Sequence, residues 1–244
     1  MTITAVLTVY RRPETLQHQI MALANQTAPP NEIWVWRNRG GPALCDVPES
    51  PPVMFSGRDN FGFYSRFAFA LLAQTDHVAI IDDDMRPGPS WFANCLETEA
   101  KHPGIMCAAG KRFTGLDYAG PWVGWNTGGS PDARQVDMAG HSWFMRRDIL
   151  SLMFREMPAA WPIGEDIHLA WMAQKHGGID CWVPPCPDDD MSLWGTDPHF
   201  GNEWGEDENA SGKMFNGWDQ RRNELTATYI ASGWKTMAMK GGPS

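Results

Sequence analysis

Apolar residues along this chain come in short unbroken runs that end in polar or acidic turns. The clearest run covers 77–81 and leads directly into Asp82, Asp83 and Asp84. A strand with one solvent-facing side alternates apolar and polar residues, so an unbroken run predicts a strand that is buried on both faces. Runs of this kind predict further strands at 3–9, 32–37, 53–56, 104–109, 136–145 and 180–183.

Between these strands, apolar residues recur at the three- and four-residue spacing of helices. Leu16, Ile20 and Leu23 give the first helix an apolar face, and Pro13 suits its first turn. The same spacing predicts helices at 63–71, 90–101, 146–153, from 164 onward, and at 218–230. Strands and helices in this order form βαβ units. They predict an α/β fold with a mixed, mainly parallel sheet flanked by helices.

Four segments lack such a pattern. Residues 42–52 form a predicted proline-rich loop, and 110–140, rich in Gly, Trp, Asn and Asp, predict an irregular segment or a hairpin. Residues 184–217 predict a lid or tail, and the chain from Gly241 looks disordered. No repeat or long linker divides the 244 residues, so we expect a single domain.

Composition narrows the expected partners and compartment. The net charge of −9 counts against nonspecific nucleic-acid binding by a broad basic surface. The five cysteines are odd in number and form no dense framework, which suits a reducing cytosol. The closest pair, Cys181 and Cys186, is spaced poorly for a zinc site. No signal-peptide pattern or membrane-length apolar run is present, so we expect a soluble cytoplasmic protein. The 13 tryptophans predict an aromatic-lined groove, with core packing as the alternative.

The three consecutive carboxylates after 77–81 are the leading candidate for chemistry. In open α/β sheets, ligands bind beyond the carboxyl ends of the strands. A divalent cation would relieve the repulsion between the acids, and Mg²⁺ and Mn²⁺ prefer oxygen ligands. The alternative is a polar turn, which the following Pro87-Gly88-Pro89 supports. A second acidic pair, Glu165 and Asp166, opens a later helix, where acids also act simply as caps.

The order of four motifs resembles the GT-A glycosyltransferases, most closely their family-2-like and exostosin-like members. The motifs are the first strand with Tyr10-Arg11-Arg12, the Arg58-x-Asn60-x-Gly62-x-x-x-Arg66 turn and helix, the Ile-Asp82-Asp83-Asp84 strand end of DxD type, and Gly-Glu165-Asp166. The resemblance covers roughly residues 3 to 183. It implies a GT-A (Rossmann-like) catalytic domain over 1–183, with a nucleotide-sugar half at about 1–110 and an acceptor half at about 111–183. Residues 184–244 would pack on this domain as a C-terminal lid or tail.

The resemblance also implies roles for individual residues. The nucleotide-sugar donor would be bound by Thr8, Tyr10, Arg11, Asn38, Arg58, Asn60, Arg66, Asp82 and Asp83. A Mn²⁺ or Mg²⁺ ion would be held directly by Asp84, with Asp82 contacting the metal shell or the ribose and His199 as a further ligand. Arginine suits bidentate phosphate contact, although a solvated helix face is the alternative for Arg58 and Arg66, and a surface histidine for His199.

On the acceptor side, the resemblance makes Asp166 the general base, with Glu165 beside it, in a reaction that inverts the anomeric centre. Helix capping is the alternative for this pair. The acceptor would be lined by Gly140, His141, Trp143 and Trp125. Trp122 and Trp161 are further candidates for stacking on a sugar ring, and core packing is the alternative for all of the tryptophans.

The resulting hypothesis is a metal-dependent glycosyltransferase that uses a nucleoside-diphosphate sugar, in the first place a UDP-sugar because that donor class is the commonest in the resembling family. A glycan is the default acceptor. A hydroxymethylated DNA base is the second candidate because basic residues lie near the acceptor side of the sequence: Lys111, Arg112, Arg134, Arg146 and Arg147.

Other classes fit the sequence less well. A nucleotidyltransferase acting on a sugar phosphate would carry a glycine-rich loop after the first strand, and a noncatalytic carbohydrate-binding protein would not need three adjacent acids. An Asp-nucleophile phosphatase would need a hydroxyl residue where Asp84-Met85-Arg86 has none.

Overall fold

A mixed sheet of nine strands forms the centre of the protein in the residues that the computed structural model describes, 1–38 and 53–241. The strands are β1 (Ile3–Val9), β2 (Glu32–Arg37), β3 (Val53–Ser56), β4 (His77–Ile81), β5 (Gly104–Lys111), β6 (Trp122–Gly124), β7 (Arg134–Val136), β8 (Met138–Arg146) and β9 (Asp180–Val183). Their order is β3-β2-β1-β4-β8-β5-β9-β7, with β6 paired to β5.

Strand direction confirms the predicted mixed, mainly parallel sheet. β1 pairs in parallel with both β2 and β4, and β3 extends this parallel group at the edge. β8 is antiparallel to β4 and to β5. It therefore separates the parallel strands β3, β2, β1 and β4 from β5 and β9, which are parallel to each other. All five residues of β4 are buried, as its unbroken apolar run predicted.

Helices cover the sheet, so the predicted α/β fold class is confirmed. Among the described residues they are α1 (Thr15–Ala24), α2 (Tyr64–Ala70), α3 (Trp91–Lys101), α4 (Arg147–Leu152), α5 (Glu165–Gly177), α6 (Pro198–Gly205), α7 (Ser211–Met214), α8 (Trp218–Ala231) and α9 (Met237–Lys240). α1 and α2 pack on β1, α3 on β5, and α4 and α5 on β8. The large buried side chains between these layers include Leu7, Phe67, Ile80, Trp143 and Phe144.

Two of the four segments without a clear sequence pattern, 110–140 and 184–217, contain short strands and helices. In 110–140, β6 pairs with β5 and β7 pairs with β9, so the segment returns to the sheet twice instead of forming one hairpin. The strand predicted at 136–145 begins at Met138, after β7 has ended at Val136. Residues 184–217 contain a 3-10 helix (Met191–Leu193), α6 and α7. The loop predicted at 42–52 and the last three residues lie outside the described residues.

No helix in the described part of the chain has the length and apolar character needed to cross a bilayer. The proposed division of the chain into a nucleotide-sugar half, an acceptor half and a C-terminal lid or tail stays a prediction.

Candidate active site

A pocket of about 570 Å³ lies at the carboxyl ends of β1, β2 and β4. The C-terminal segment also contributes to its wall, from Gly205 to Arg222. The structure brings most of the predicted site residues together as lining of this pocket: Thr8, Tyr10, Arg11, Asn38, Asn60, Arg66, Asp82, Asp83, Asp84, Gly140, His141, Trp143, Glu165 and Asp166. Arg58, Trp125 and His199 do not line it.

The three aspartates occupy the turn that follows β4. The amide of Asp82 donates to the carbonyl of His141 (3.1 Å), and the amide of Met85 donates to the carbonyl of Asp82 (3.0 Å). The turn interpretation of this stretch is therefore correct in geometry, and it does not exclude a ligand role for the side chains. Each carboxylate has its own environment: Asp82 pairs with Arg66, Asp83 pairs with Arg12, and Asp84 has a buried Oδ1 without a hydrogen-bond partner.

Arg66 connects the aspartate turn to the start of α5. Its Nη1 is paired with Asp82, and its Nη2 lies 3.0 Å from Glu165 Oε1. The guanidinium carbon is 4.9 Å from the centre of the Trp143 ring, so the cation stacks on a buried aromatic. Arg66 is only 6% exposed, and two of its guanidinium nitrogens contact carboxylates, so it holds Asp82 and Glu165 in position.

Arg12, to which sequence reasoning assigned no role, holds the C-terminal segment against the aspartate turn. Its Nη1 donates to Asp83 Oδ1 (2.7 Å), while Nε and Nη2 donate to the two carboxylate oxygens of Asp207 (2.9 and 2.6 Å). Asp84 Oδ2 is 3.7 Å away from the same guanidinium. Because Arg12 is 5% exposed, this bidentate contact is shielded from water and stronger than a surface ion pair.

Glu165 and Asp166 open α5 with both carboxylates buried. Gly164, in the left-handed region at φ 84°, allows the chain to enter the helix where a Cβ would collide with Leu225. Asp166 Oδ1 accepts from the amide of Ile167 (2.7 Å), so the acid also serves the helix terminus. Its other oxygen pairs with Arg222 of α8, a buried residue that sequence reasoning missed.

Burial changes the proton affinity of these groups. Desolvation raises the pKa of Asp82, Arg66 opposes this shift, and the neighbouring acids add to it. The resulting pKa is about 8. Desolvation and Asp83 raise the pKa of Asp84 to about 7, and desolvation and Asp166 raise that of Glu165 to about 7. Burial lowers the pKa of His141 to about 4, so its imidazole is neutral at physiological pH.

Ligand atoms of Asp82, Asp84 and His141 all lie within 4.8 Å of one another. Two carboxylates and a neutral imidazole form a donor set that suits a divalent cation, and the unpartnered Asp84 Oδ1 fits the same role. The structure does not bring His199 to this group: its side chain is 85% exposed in the first turn of α6, where its nearest acid is Glu203 (3.8 Å).

The predicted acceptor residues separate into two groups. Gly140 and His141 line the pocket beside Trp122, whose ring would lie 3.2 Å from a Cβ at Gly140. Trp143 lines it beneath Arg66 and donates from Nε1 to the carbonyl of Ala139 (3.0 Å). Trp125 is buried behind the wall, with its ring centre 5.7 Å from that of His141. Core packing therefore describes Trp125, while Trp161 is half exposed against Tyr64.

Sequence reasoning missed much of the pocket wall. Lys213, Phe215, Trp218 and Arg222 line it from the C-terminal segment, and Tyr118 lines it from the 110–140 segment beside Trp122, a predicted stacking candidate. The one available signal was composition, because both segments combine aromatic and polar residues without a helical or strand period. The basic residues that the sequence places near the acceptor side do not line the pocket: Lys111, Arg112, Arg134, Arg146 and Arg147.

Comparison with solved structures supports the fold. Two crystal structures of S. aureus TarS, a GT-A-type glycosyltransferase, are similar to this chain, one of them covering TarS residues 1–349. The TM-scores are 0.51 and 0.52 at 13% sequence identity over 76% of this chain. The chain spans 60% and 37% of the length of those two structures. No family model and no curated protein sequence matches the chain. The protein therefore has a glycosyltransferase-like fold.

Proposed function

We propose that the protein is a metal-dependent glycosyltransferase that moves a sugar from a nucleoside-diphosphate sugar to a hydroxyl acceptor. The observation that carries the proposal is the pocket at the carboxyl ends of the strands, where Asp82 and Asp84, the carboxylates proposed to hold a cation, share one cavity with the buried Asp166. The glycosyltransferase-like fold supports the same conclusion.

The donor would occupy the part of the pocket between β1 and the C-terminal segment. Tyr10 and Asn38 offer a stacking surface and an amide for the base and ribose, and Arg11 and Lys213 offer positive charge for the diphosphate. A bound Mn²⁺ or Mg²⁺ on Asp84 and Asp82 would stabilise the departing nucleoside diphosphate as a Lewis acid. A UDP-sugar remains the first candidate, as the family resemblance implies.

Asp166 would remove the proton of the acceptor hydroxyl as that oxygen attacks the anomeric carbon, which gives inversion. Arg222 and the amide of Ile167 hold its two oxygens, so the carboxylate is fixed in position. Glu165 is occupied by Arg66 and would act through that arginine on Asp82. The acceptor would lie against Trp122, His141 and Trp218, with a glycan as the default and a hydroxymethylated DNA base as the second candidate.

Two other classes of protein would use the same residues differently. A nucleotidyltransferase would use the cation at an α-phosphate, and a carbohydrate-binding protein would use the aromatic wall alone. The released product distinguishes the two enzymes: a glycosyltransferase releases the intact nucleoside diphosphate, whereas a nucleotidyltransferase releases pyrophosphate. Function in the cytoplasm stays a prediction.

Calorimetric titration of UDP, GDP and dTDP, each with and without Mn²⁺, tests the proposal. We expect one nucleotide to bind in a metal-dependent way, and Asp84→Asn to weaken that binding by at least about tenfold, because an amide is a poor cation ligand. Asp132→Asn is the matched control, since Asp132 is exposed and does not line the pocket. Absence of binding for all three nucleotides would overturn the proposal.

A further inference from the structure

His141 is fixed beside the aspartate turn by the sheet itself. β8 runs antiparallel to β4, and Ile81 pairs with Ser142 in the last register position. One step further along, the amide of Asp82 donates to the carbonyl of His141 (3.1 Å). The backbone that carries the imidazole and the backbone that carries the first aspartate are therefore joined by a hydrogen bond, and their separation is set by the fold.

The backbone of His141 is in the left-handed region, at φ 64°. It is the one non-glycine residue within 1–38 and 53–241 that has a positive φ. Such a conformation costs on the order of 1 kcal/mol for a residue with a Cβ, and it is retained where the surrounding structure determines it. Here, Gly140 and His141 lie within β8, between β4 and β5, and line the pocket, so the unusual conformation sets the direction of the imidazole.

The imidazole is held by rings and not by polar partners. The ring centres of Trp122 and Trp125 are 5.1 and 5.7 Å from that of His141. Neither ring nitrogen forms a hydrogen bond or ion pair with any residue that the structure describes. A histidine kept in a costly conformation, packed by two tryptophans and left with its nitrogens free at a pocket wall, is arranged to bind something in the pocket.

The neighbouring atoms indicate what it binds. A ligand nitrogen of His141 and carboxylate oxygens of Asp82 and Asp84 are all within 4.8 Å of one another. In an octahedral site with bonds of about 2.1 Å, ligand atoms are separated by about 3 Å when adjacent and about 4.2 Å when opposite. At most one pair of three such ligands can be opposite, so the three side chains would move closer together on binding a cation. The unpartnered Oδ1 of Asp84 provides an oxygen that no protein donor occupies.

We propose that His141 is a direct ligand of the cation at this site and that its imidazole makes the site prefer Mn²⁺ or Co²⁺ over Mg²⁺ and Ca²⁺. Oxygen-only sites suit Mg²⁺ and Ca²⁺, whereas an imidazole nitrogen adds affinity for first-row transition metals. The inference deepens the proposed function by assigning the third protein ligand and the metal class. It rests on that function only for the presence of a cation.

Pulsed electron paramagnetic resonance of the protein with Mn²⁺ alone tests the ligand directly. We expect a nitrogen coupling typical of a bound imidazole in the unmodified protein and in His199→Ala, and its loss in His141→Asn. Asparagine is chosen because it tolerates the left-handed backbone better than other side chains. His141→Gly, which has no Cβ, is a second variant for the case in which asparagine disturbs the fold, and thermal melting checks both.

Binding titrations give the second readout. We expect His141→Asn to weaken Mn²⁺ binding about tenfold while changing Mg²⁺ binding much less. Mn²⁺ binding without nitrogen coupling, loss of the coupling in His199→Ala instead, or no Mn²⁺ binding at millimolar concentration would each overturn the inference.

The two proposals fail in different ways. If a nucleotide binds with Mn²⁺ but shows no imidazole coupling, the proposed function stands and the His141 assignment falls. If the coupling is present but no nucleotide binds, the cation site is real and the glycosyltransferase proposal falls.

Discussion

Each carboxylate at the pocket floor is distinguished by its partner. Arg66, Arg12 and Arg222 are all buried, and they pair with Asp82, Asp83 and Asp166 respectively. Removing one partner of a buried pair leaves an uncompensated charge, which costs about 3–5 kcal/mol. These contacts therefore hold the acids in fixed positions, and Asp84, which lacks such a partner at Oδ1, is the carboxylate left for a ligand.

Asp166→Asn tests the general base. The substitution keeps the shape and removes the charge, and it leaves the buried Arg222 without its carboxylate, so thermal melting must first show that the variant is folded. In the folded variant, we expect the rate of donor hydrolysis, with water as acceptor, to fall by about 10²–10⁴ while nucleotide binding with Mn²⁺ changes less than about threefold. Asp148→Asn, an exposed acid in the first turn of α4, is the control. A hydrolysis rate equal to that of the unmodified protein would contradict the role of Asp166.

Sequence reasoning could find residues whose chemistry follows a strand end or opens a helix, and it found Asp82, Asp84, Arg66 and Asp166. It could not find Arg222, which lies 56 residues from Asp166 on the buried face of α8, because arginine on a helix is ordinarily exposed. It assigned His199 as a cation ligand because a local motif gives no information on distance in the fold. The backbone hydrogen bond between Asp82 and His141 exists only after β8 pairs with β4.

At the scale of elements, the C-terminal segment completes a pocket that the sheet begins. Strand ends provide the floor, and the residues between α6 and α8 provide one wall. The segment is tied at two points, by Asp207 to Arg12 and by Arg222 to Asp166. Because Arg12 also binds Asp83, the position of the wall and the position of the aspartate turn depend on the same guanidinium.

Asp207→Asn tests this connection. Loss of the bidentate carboxylate–guanidinium contact should loosen residues 205–217, so we expect faster limited proteolysis in that segment and nucleotide binding weakened by about three- to tenfold. Asp219→Asn is the matched control, because Asp219 is an exposed acid in the first turn of α8. If proteolysis and binding match those of the unmodified protein, the Arg12–Asp207 contact does not hold the wall.

Strands such as β1 and β4 were predictable because each consists of a continuous apolar run that the fold buries. β6 and β7 were not predictable, since each has three residues and is defined by pairing with β5 or β9. The wall from α6 to α7 was recognised as a lid or tail without its helices. Short helices of this kind depend on local contacts, such as the Asp197 side chain that accepts from the amide of His199 at the start of α6.

For the molecule as a whole, the buried acids of the site lower the free energy of unfolding, and the rest of the fold must offset that loss. Six carboxylates of the site, Asp82, Asp83, Asp84, Glu165, Asp166 and Asp207, are matched by three arginines, Arg12, Arg66 and Arg222. The excess acid lies in a pocket where burial disfavours charge. The continuous core of β1, β4 and β8 supplies the stability that keeps these groups together, and a cation would lower the cost.

This balance predicts how stability depends on pH in the absence of metal. The folded-state pKa values of Asp82, Asp84 and Glu165 are raised to about 8, 7 and 7, above 3.8, 3.8 and 4.5 for the free groups. Between those values the folded protein binds more protons than the unfolded chain, so the free energy of unfolding falls as pH rises. His141, lowered to about 4, and His168, whose pKa burial also lowers, contribute the opposite slope, which ends about one pH unit above the free histidine value of 6.5.

Chemical denaturation in EDTA from pH 7.5 to 8.5 measures the effect of these carboxylates with little contribution from the histidines. We expect the free energy of unfolding to fall by about 1 kcal/mol over this range, because the remaining protons leave buried carboxylates. Asp84→Asn should flatten the slope, since one of the titrating groups is removed, and saturating Mn²⁺ should reverse it by binding the ionised form. A free energy that rises with pH in EDTA would show that these acids are already ionised at pH 7.5, and the raised pKa values would then be wrong.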